Sequence, residues 1–223
     1  MVLQQGESQR CKRCGTCCSK GGPGLHDEDI HLVLEKIITP ENLYTIRIGE
    51  LVRDNVNGGL MYTGSEIIKT RSSPDSHACV FFRKQENVCG IYQDRPAECR
   101  ALECWNSGVV HQMHVQNRLD RKALFGSIGW LWEMIQTHEE KCGFLSVKRL
   151  LEARREGDPV ASISLGEAIS HDQAIRDIVV EKAGLDTGML DLVFGLSLKV
   201  VLQRRFGVKV EKRDGGSGIV FQR

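Results

Sequence analysis

Eight of the nine cysteines in this 223-residue chain precede residue 105, and four of them are crowded into Cys11-Lys-Arg-Cys14-Gly-Thr-Cys17-Cys18. The others in that half are Cys79, Cys89, Cys99 and Cys104, while Cys142 stands apart on a later segment. Thiols at such short spacings constrain a fold strongly, because they must be oxidised into disulfides or share a metal. Neighbours such as Cys17 and Cys18 do not easily bridge to each other, the count is odd, and secreted disulfide scaffolds are normally much shorter than this chain. The first ten residues contain no apolar run resembling a signal peptide, so a cytoplasmic, reducing setting is expected, in which thiols stay free. The spacing therefore predicts thiolates converging on metal.

Zn²⁺ and iron-sulfur clusters both favour four thiolates around a compact centre, so eight cysteines suffice for two sites. Cys11, Cys14 and Cys17 form two overlapping Cys-x-x-Cys turns, like the first three ligands of a bacterial ferredoxin loop, which favours iron. Cys18 follows at once, where the ferredoxin pattern has a three-residue spacer and Cys-Pro, and its side chain is free to diverge toward a second metal. Asp94-Arg95-Pro96 reads as a helix start that places Cys99 in the first turn, where backbone N–H groups and Arg95 or Arg100 favour a thiolate. Were that helix to continue, Cys104 would be rotated by about 140° from Cys99, so the two would serve different centres. Arg95 and Arg100 are equally readable as counter-charges for the thiolates, as a substrate clamp, or as surface ion pairs.

The remaining elements follow from periodicity. Ile30, Val33, Leu34 and Ile37 repeat at helical spacing after Asp27, Glu28 and Asp29. Thr39-Pro40-Glu41 reads as a second helix start leading into a strand through Tyr44-Thr-Ile46-Arg-Ile48. Asn57-Gly58-Gly59 marks a turn, and Glu66–Thr70 reads as a strand. Cys79-Val-Phe-Phe82 and Val88-Cys89-Gly-Ile-Tyr92 form an expected hairpin, which places Cys79 and Cys89 opposite each other with Cβ atoms about 4.5–5.5 Å apart. A helical stripe from Leu124 runs through Phe125, Ile128, Leu131, Trp132 and Ile135 to His138 and Cys142, which face the core one turn apart and are further candidate ligands. Helices are expected over about 146–155, 165–170, 172–183 and 187–206. Ser164-Leu-Gly-Glu167 and Ser170-His-Asp-Gln173 fit capping boxes, and a terminal hairpin follows around 214–216. His26, His31, His77, His111 and His114 have weaker claims, His77 the best of them, and Trp105, Trp130 and Trp132 read as core aromatics. The expected fold is α+β, predominantly helical with short strands and hairpins. A cysteine-cluster module at 1–115 packs on a helical region at 116–223, the two forming either separate units or one domain.

A formal net charge of +1 gives no electrostatic reason to expect a nucleic acid partner, and no apolar run is long enough to span a bilayer. The basic C-terminal stretch containing Lys199, Arg204, Arg205, Lys209, Lys212 and Arg213 reads as a solvated surface.

The pattern Cys11-x-x-Cys14-Gly15-x-Cys17-Cys18, then Cys79-x-Phe81 and Cys89-x-Ile91-Tyr92-x-x-Arg95-Pro96-x-x-Cys99-Arg100, resembles the YkgJ family of cysteine-cluster proteins, described as zinc- or iron-chelating. The resemblance covers about the first half of the chain. It implies chelation by Cys11, Cys14, Cys17, Cys18, Cys79, Cys89 and Cys99, with Cys104 as an addition. A related cysteine region occurs in the flagellin lysine methylase, which raises a methyl-transfer reading, although no glycine-rich nucleotide fingerprint accompanies it here. Three functions are thus expected to compete: an iron or iron-sulfur protein with a redox or cluster-dependent role and a redox partner, a structural zinc protein whose helices bind a protein partner, and a catalytic metal site with His138 or an arginine beside it.

Overall fold

The computed structural model describes residues 11, 13–53, 58–103, 108–113, 116–213 and 216–221. Cys104, Trp105, His114, Asn57 and the expected terminal turn at 214–215 lie outside the described residues. Helix predominates, and the strands form short antiparallel pairs, which is the α+β, mainly helical class.

Residues 43–53 run against 60–70 in one register, Leu43 opposite Thr70 and Arg53 opposite Leu60. The ladder breaks at 47–50, dividing this hairpin into β1 (Leu43–Ile46), β2 (Leu51–Arg53), β3 (Leu60–Tyr62) and β4 (Ile67–Thr70). At the break Glu50 N donates to Arg47 O at 3.0 Å and Thr63 Oγ1 donates to the same oxygen at 2.7 Å. Strand alternation through Ile48 is therefore not observed. The chain turns after Ile46, leaving Ile48 49% exposed and Arg47 fully buried. Pro23–Leu25 adds a further rung on the other edge of β4, with Thr70 N on Pro23 O at 3.0 Å and Leu25 N on Ile68 O at 2.8 Å. Gly22 permits this approach, since a Cβ there would collide with Thr70 Oγ1.

A 3-10 turn at Asp27–Asp29 leads into α1 (Ile30–Leu34), and Pro40–Asn42 forms another such turn rather than a full helix. After the hairpin come β5 (Phe82–Arg83), β6 (Val88–Cys89), α2 (Ala97–Ala101) and α3 (Gly108–Met113). The apolar stripe expected from Leu124 is divided between α4 (Arg121–Phe125) and α5 (Gly129–Cys142), and α6 (Phe144–Arg155) follows. Leu131, Ile135, His138 and Cys142 form the buried face of α5.

The segment expected to form two helices after residue 165 is one, α7 (Pro159–Ala183), capped by the Asp158 side chain on Val160 N and closed by Gly184 at φ 66°. Ser164 and Ser170 lie inside it. Their local capping potential yields to an unbroken apolar stripe through Ala161, Leu165, Ile169, Ile175 and Val179. The expected 187–206 helix is instead divided at Gly195 (φ 72°) into α8 (Leu190–Phe194) and α9 (Leu198–Phe206). The terminal hairpin pairs β7 (Val208–Arg213) with β8 (Gly216–Phe221). One core joins Leu25, Leu43 and Ile68 of the amino-terminal part to Leu131, Ile175 and Phe194 of the helices, and a second is built on Phe144, Leu165 and Leu202. Among the described residues no helix is long and apolar enough to cross a membrane.

Buried charge fixes the hairpin to the helices. Arg47 Nη1 donates to Cys142 O at 3.2 Å, lies 3.6 Å from Glu139 Oε1, and meets His138 Nδ1 at 3.5 Å. His138 Nε2 lies 2.7 Å from Asp172 Oδ1, which also accepts from Arg176 Nε at 3.0 Å. Burial holds the imidazole below its ordinary pKa, so the neutral ring donates from Nε2 and accepts at Nδ1. Burial alone would raise Asp172, but His138, Arg176 and Leu198 N hold it down to about 2.

Replacing Asp172 with Ala leaves three buried donors without their acceptor, and is expected to cost about 3–5 kcal/mol in denaturant unfolding. An unchanged midpoint would refute the role assigned to the network. The folded-state pKa of Asp172 lies below the unfolded value, so its contribution is complete above about pH 4 and fades as pH falls toward 2. His138, also depressed, begins the loss on the acid side of neutrality, because the unfolded chain takes up that proton first. Stability measured against pH should therefore decline from near pH 6 downward, and less steeply in Asp172→Ala.

Candidate metal centre

The first cysteine loop is shaped by Gly15, whose φ of 75° turns the chain back so that Ser19 N and Oγ both reach Gly15 O, at 2.9 and 3.0 Å. A Cβ on Gly15 would strike the Phe82 ring, so the loop rests directly on β5. Cys17 then caps a 3-10 turn over Cys18–Lys20, and Cys18 O accepts from Cys79 N at 2.7 Å, joining this loop to the second cysteine segment.

The β5–β6 register corrects the expected pairing of Cys79 with Cys89. Cys89 faces Phe82, while Cys79 bridges to Ser72. Residues 79–82 turn instead of extending, with Phe82 N on Cys79 O at 2.9 Å, which shifts the hairpin by three residues. Cys99 lies in the first turn of α2, as its position after Pro96 predicts, but the cap comes from elsewhere: Asp29 Oδ1 accepts from Ala97 N at 2.9 Å. The helix ends at Ala101, so no continuous helix relates Cys99 to Cys104.

Five thiols, on Cys17, Cys18, Cys79, Cys89 and Cys99, lie close enough to act on one another electrostatically. Burial, reinforced by Cys17, Cys89 and Cys79, pushes Cys18 up to about 12. Burial also raises Cys99, and Cys79, Cys18, Cys17 and Cys89 add to it. Cys79 is raised chiefly by burial, against a downward pull from Phe81 N–H and Thr70 Oγ1. The pocket is thus hostile to bare thiolates. Cys17 Sγ and Cys18 Sγ are 4.0 Å apart, near the roughly 3.8 Å edge of a tetrahedron with Zn–S bonds of about 2.3 Å. Among the described residues, however, no three His, Cys, Asp or Glu side chains already stand as a preformed ligand set. Sulfur-only donors, partly buried and short of positive charge, fit a thiophilic ion that gathers them on binding.

Cys11 and Cys14 are exposed, with Cys14 Sγ 3.3 Å from Thr16 Oγ1. Cys142 and His138 are placed differently from the other candidates. Cys142 Sγ donates to Ala168 O at 3.3 Å, and His138 is engaged by Asp172 and Arg47. His77 is exposed, and Arg100 makes the surface ion pair, 2.6 Å from Glu28 Oε2.

Several charged neighbours of the thiols were not singled out from the sequence. Part-buried Lys69 donates from Nζ to Gly22 O. Burial lowers its pKa, and Glu98, Cys79 and Cys99 pull the other way. Burial would raise Glu98, but His26, Arg118, Gly24 N and Lys69 bring it down to about 2. Arg118 Nη1 lies 2.6 Å from Glu98 Oε1, and His26 Nδ1 meets Gln116 O at 3.0 Å. Two of these residues carry a sequence signal in hindsight: Glu98 adjoins Cys99, and Lys69 alternates with buried Ile68 and Thr70 on β4.

No curated protein and no solved structure matches the chain. The CxxCxxCC family, described as "Putative zinc- or iron-chelating domain", matches residues 10–142, which is more than half of the sequence. With its cysteine loop, its second thiol segment and Cys99 all inside that span, the chain belongs to the CxxCxxCC family.

Proposed function

We propose that this protein chelates zinc or iron through thiolates, with Cys17, Cys18, Cys79, Cys89 and Cys99 as the inner donors and Cys11 and Cys14 supplied by the exposed loop. The gathering of five mutually repelling, partly buried thiols from three separate segments carries this reading. Nothing in ordinary core packing requires thiols from residues 17, 79, 89 and 99 to share one neighbourhood, whereas a thiophilic cation stabilises them as thiolates. Lys69 on β4 and the arginines beside the loop moderate the negative charge that results. A bound zinc would brace the segments, and iron or an iron-sulfur cluster would in addition carry an electron. Five inner thiols exceed the four that one tetrahedral ion takes, which keeps a multinuclear centre in view. Cys142 and His138 belong to the packing of the helical layer in this reading, since each already has its own hydrogen-bond partner there.

Protein purified without oxygen is expected to contain at least one equivalent of zinc or iron per chain by elemental analysis. Iron with acid-labile sulfide and visible absorption would assign the redox role. Colourless zinc protein that loses its amino-terminal structure on chelation, with no redox change, would assign the structural one. Metal-free protein from every such preparation would end the proposal.

Cysteine substitutions locate the centre. Cys99→Ser is expected to lose half or more of the bound metal, and Cys142→Ala to retain it all. The reverse pattern would move the centre to the helical layer.

A further inference from the structure

We propose that Tyr92 is a positioning residue for the metal centre, its ring holding the arm that carries Cys11 and Cys14 against the segment that carries Cys89 and Cys99; this rests on the chelation reading above. The guanidinium carbon of Arg13 lies 3.9 Å from the centre of the Tyr92 ring, and that of Arg95 lies at the same distance, 3.9 Å. Arg13 sits between Cys11 and Cys14. Tyr92 follows Cys89 by three residues, and Arg95 precedes Cys99 by four. One ring therefore receives a cation from each side of the proposed centre.

The surrounding contacts direct Arg13 to that ring. Its backbone is left-handed, with φ of 54°, a conformation rare for side chains larger than Gly or Asn. Asn87 Nδ2 holds Arg13 O at 3.1 Å, and Asn87 itself turns the β5–β6 hairpin with φ of 53°. Gly15 lies against Phe82 on the same hairpin. On the other side Arg95 Nε donates to Tyr92 O at 3.0 Å, which fixes that guanidinium beside the ring of the residue it bonds.

Two guanidiniums on one ring repel each other, so the stack benefits from negative charge close by. Four thiolates around a divalent ion leave a net charge of about −2, and the two arginines offset it. The clasp should accordingly tighten when the centre is loaded and loosen when it is empty. The exposed position of Cys11 and Cys14 fits an arm whose approach to the inner thiols depends on this contact and little else.

The test is cysteine alkylation by iodoacetamide, read residue by residue by mass spectrometry on the zinc-loaded full chain. In wild type, Cys11 and Cys14 are expected to be protected together with the inner thiols. In Tyr92→Leu they should react roughly three- to thirty-fold faster, the range a lost cation–π contact supports, while Cys17, Cys18, Cys79, Cys89 and Cys99 stay protected. Arg13→Ala, which alters only the exposed arm, should behave like Tyr92→Leu, and Tyr92→Phe, which keeps the ring, should behave like wild type. Equal labelling of Cys11 and Cys14 in wild type and Tyr92→Leu overturns the proposal. So does simultaneous exposure of all seven thiols, which would make Tyr92 a general support of the fold. A wild-type chain that takes up neither zinc nor iron would instead overturn the chelation reading on which the proposal stands.

Discussion

A buried guanidinium, that of Arg47, is the contact on which the rest of the structure depends. It leaves the hairpin at the break in the ladder, enters the helical layer, and lies over the Phe144 ring at 4.4 Å. From it, alternating charge runs in both directions. One arm passes through Glu139 and Arg121 to Glu66, with closest approaches of 3.6, 2.9 and 2.7 Å. The other passes through His138, Asp172, Arg176 and Asp191 to Arg71. Four carboxylates thus meet four guanidiniums around one neutral imidazole. Both ends of the chain lie on the same stretch of backbone, because Glu66 immediately precedes β4 and Arg71 immediately follows it. A buried network of this kind tolerates no missing member, since each loss leaves an uncompensated charge in a low-dielectric interior.

The clamping of β4 reaches the thiols directly. One edge of β4 pairs with β1 and the other with Pro23–Leu25, the segment into which the first cysteine loop runs. Lys69 and Thr70, on β4 itself, act on Cys79 and Cys99. Ser72, two residues beyond the strand, bridges to Cys79. Cys99 is held through a second polar cluster, in which Asp29 caps α2 while Glu98 is fixed by Gly24 N, Arg118 and Lys69. The inner thiols therefore stand on a rigid frame, and Cys11 and Cys14 extend from it on an arm that touches the frame through Gly15, Arg13 and the β5–β6 hairpin.

Much of this was legible in the residues, though unevenly. Cysteine spacing, a local signal with few structural meanings, pointed to a shared neighbourhood for thiols far apart in sequence. The first-turn position of Cys99 followed from Pro96, and the core-facing placement of His138 and Cys142 followed from helical periodicity. Local rules failed where a tertiary contact outweighed them. Arg47 alternates with Ile46 and Ile48, a pattern that aims it at solvent, yet the chain turns after Ile46 and buries it against residues more than ninety positions away. Cys79 and Cys89 are symmetric about residue 84, but the turn at 79–82 moves the register to Phe82 and Cys89. The capping boxes in α7 are genuine local options, overridden by an apolar stripe that spans them both. Nothing in the sequence alone paired Tyr92 with Arg13, because cation–π partners carry no spacing rule.

The account stands or falls on sulfur at the metal. X-ray absorption at the zinc and iron edges of anaerobically purified protein reads the donor atoms directly. A first shell made up of sulfur alone, with zinc–sulfur distances of about 2.3 Å if the metal is zinc, is the predicted result. A shell dominated by nitrogen or oxygen would contradict it and place the metal away from Cys17, Cys18, Cys79, Cys89 and Cys99.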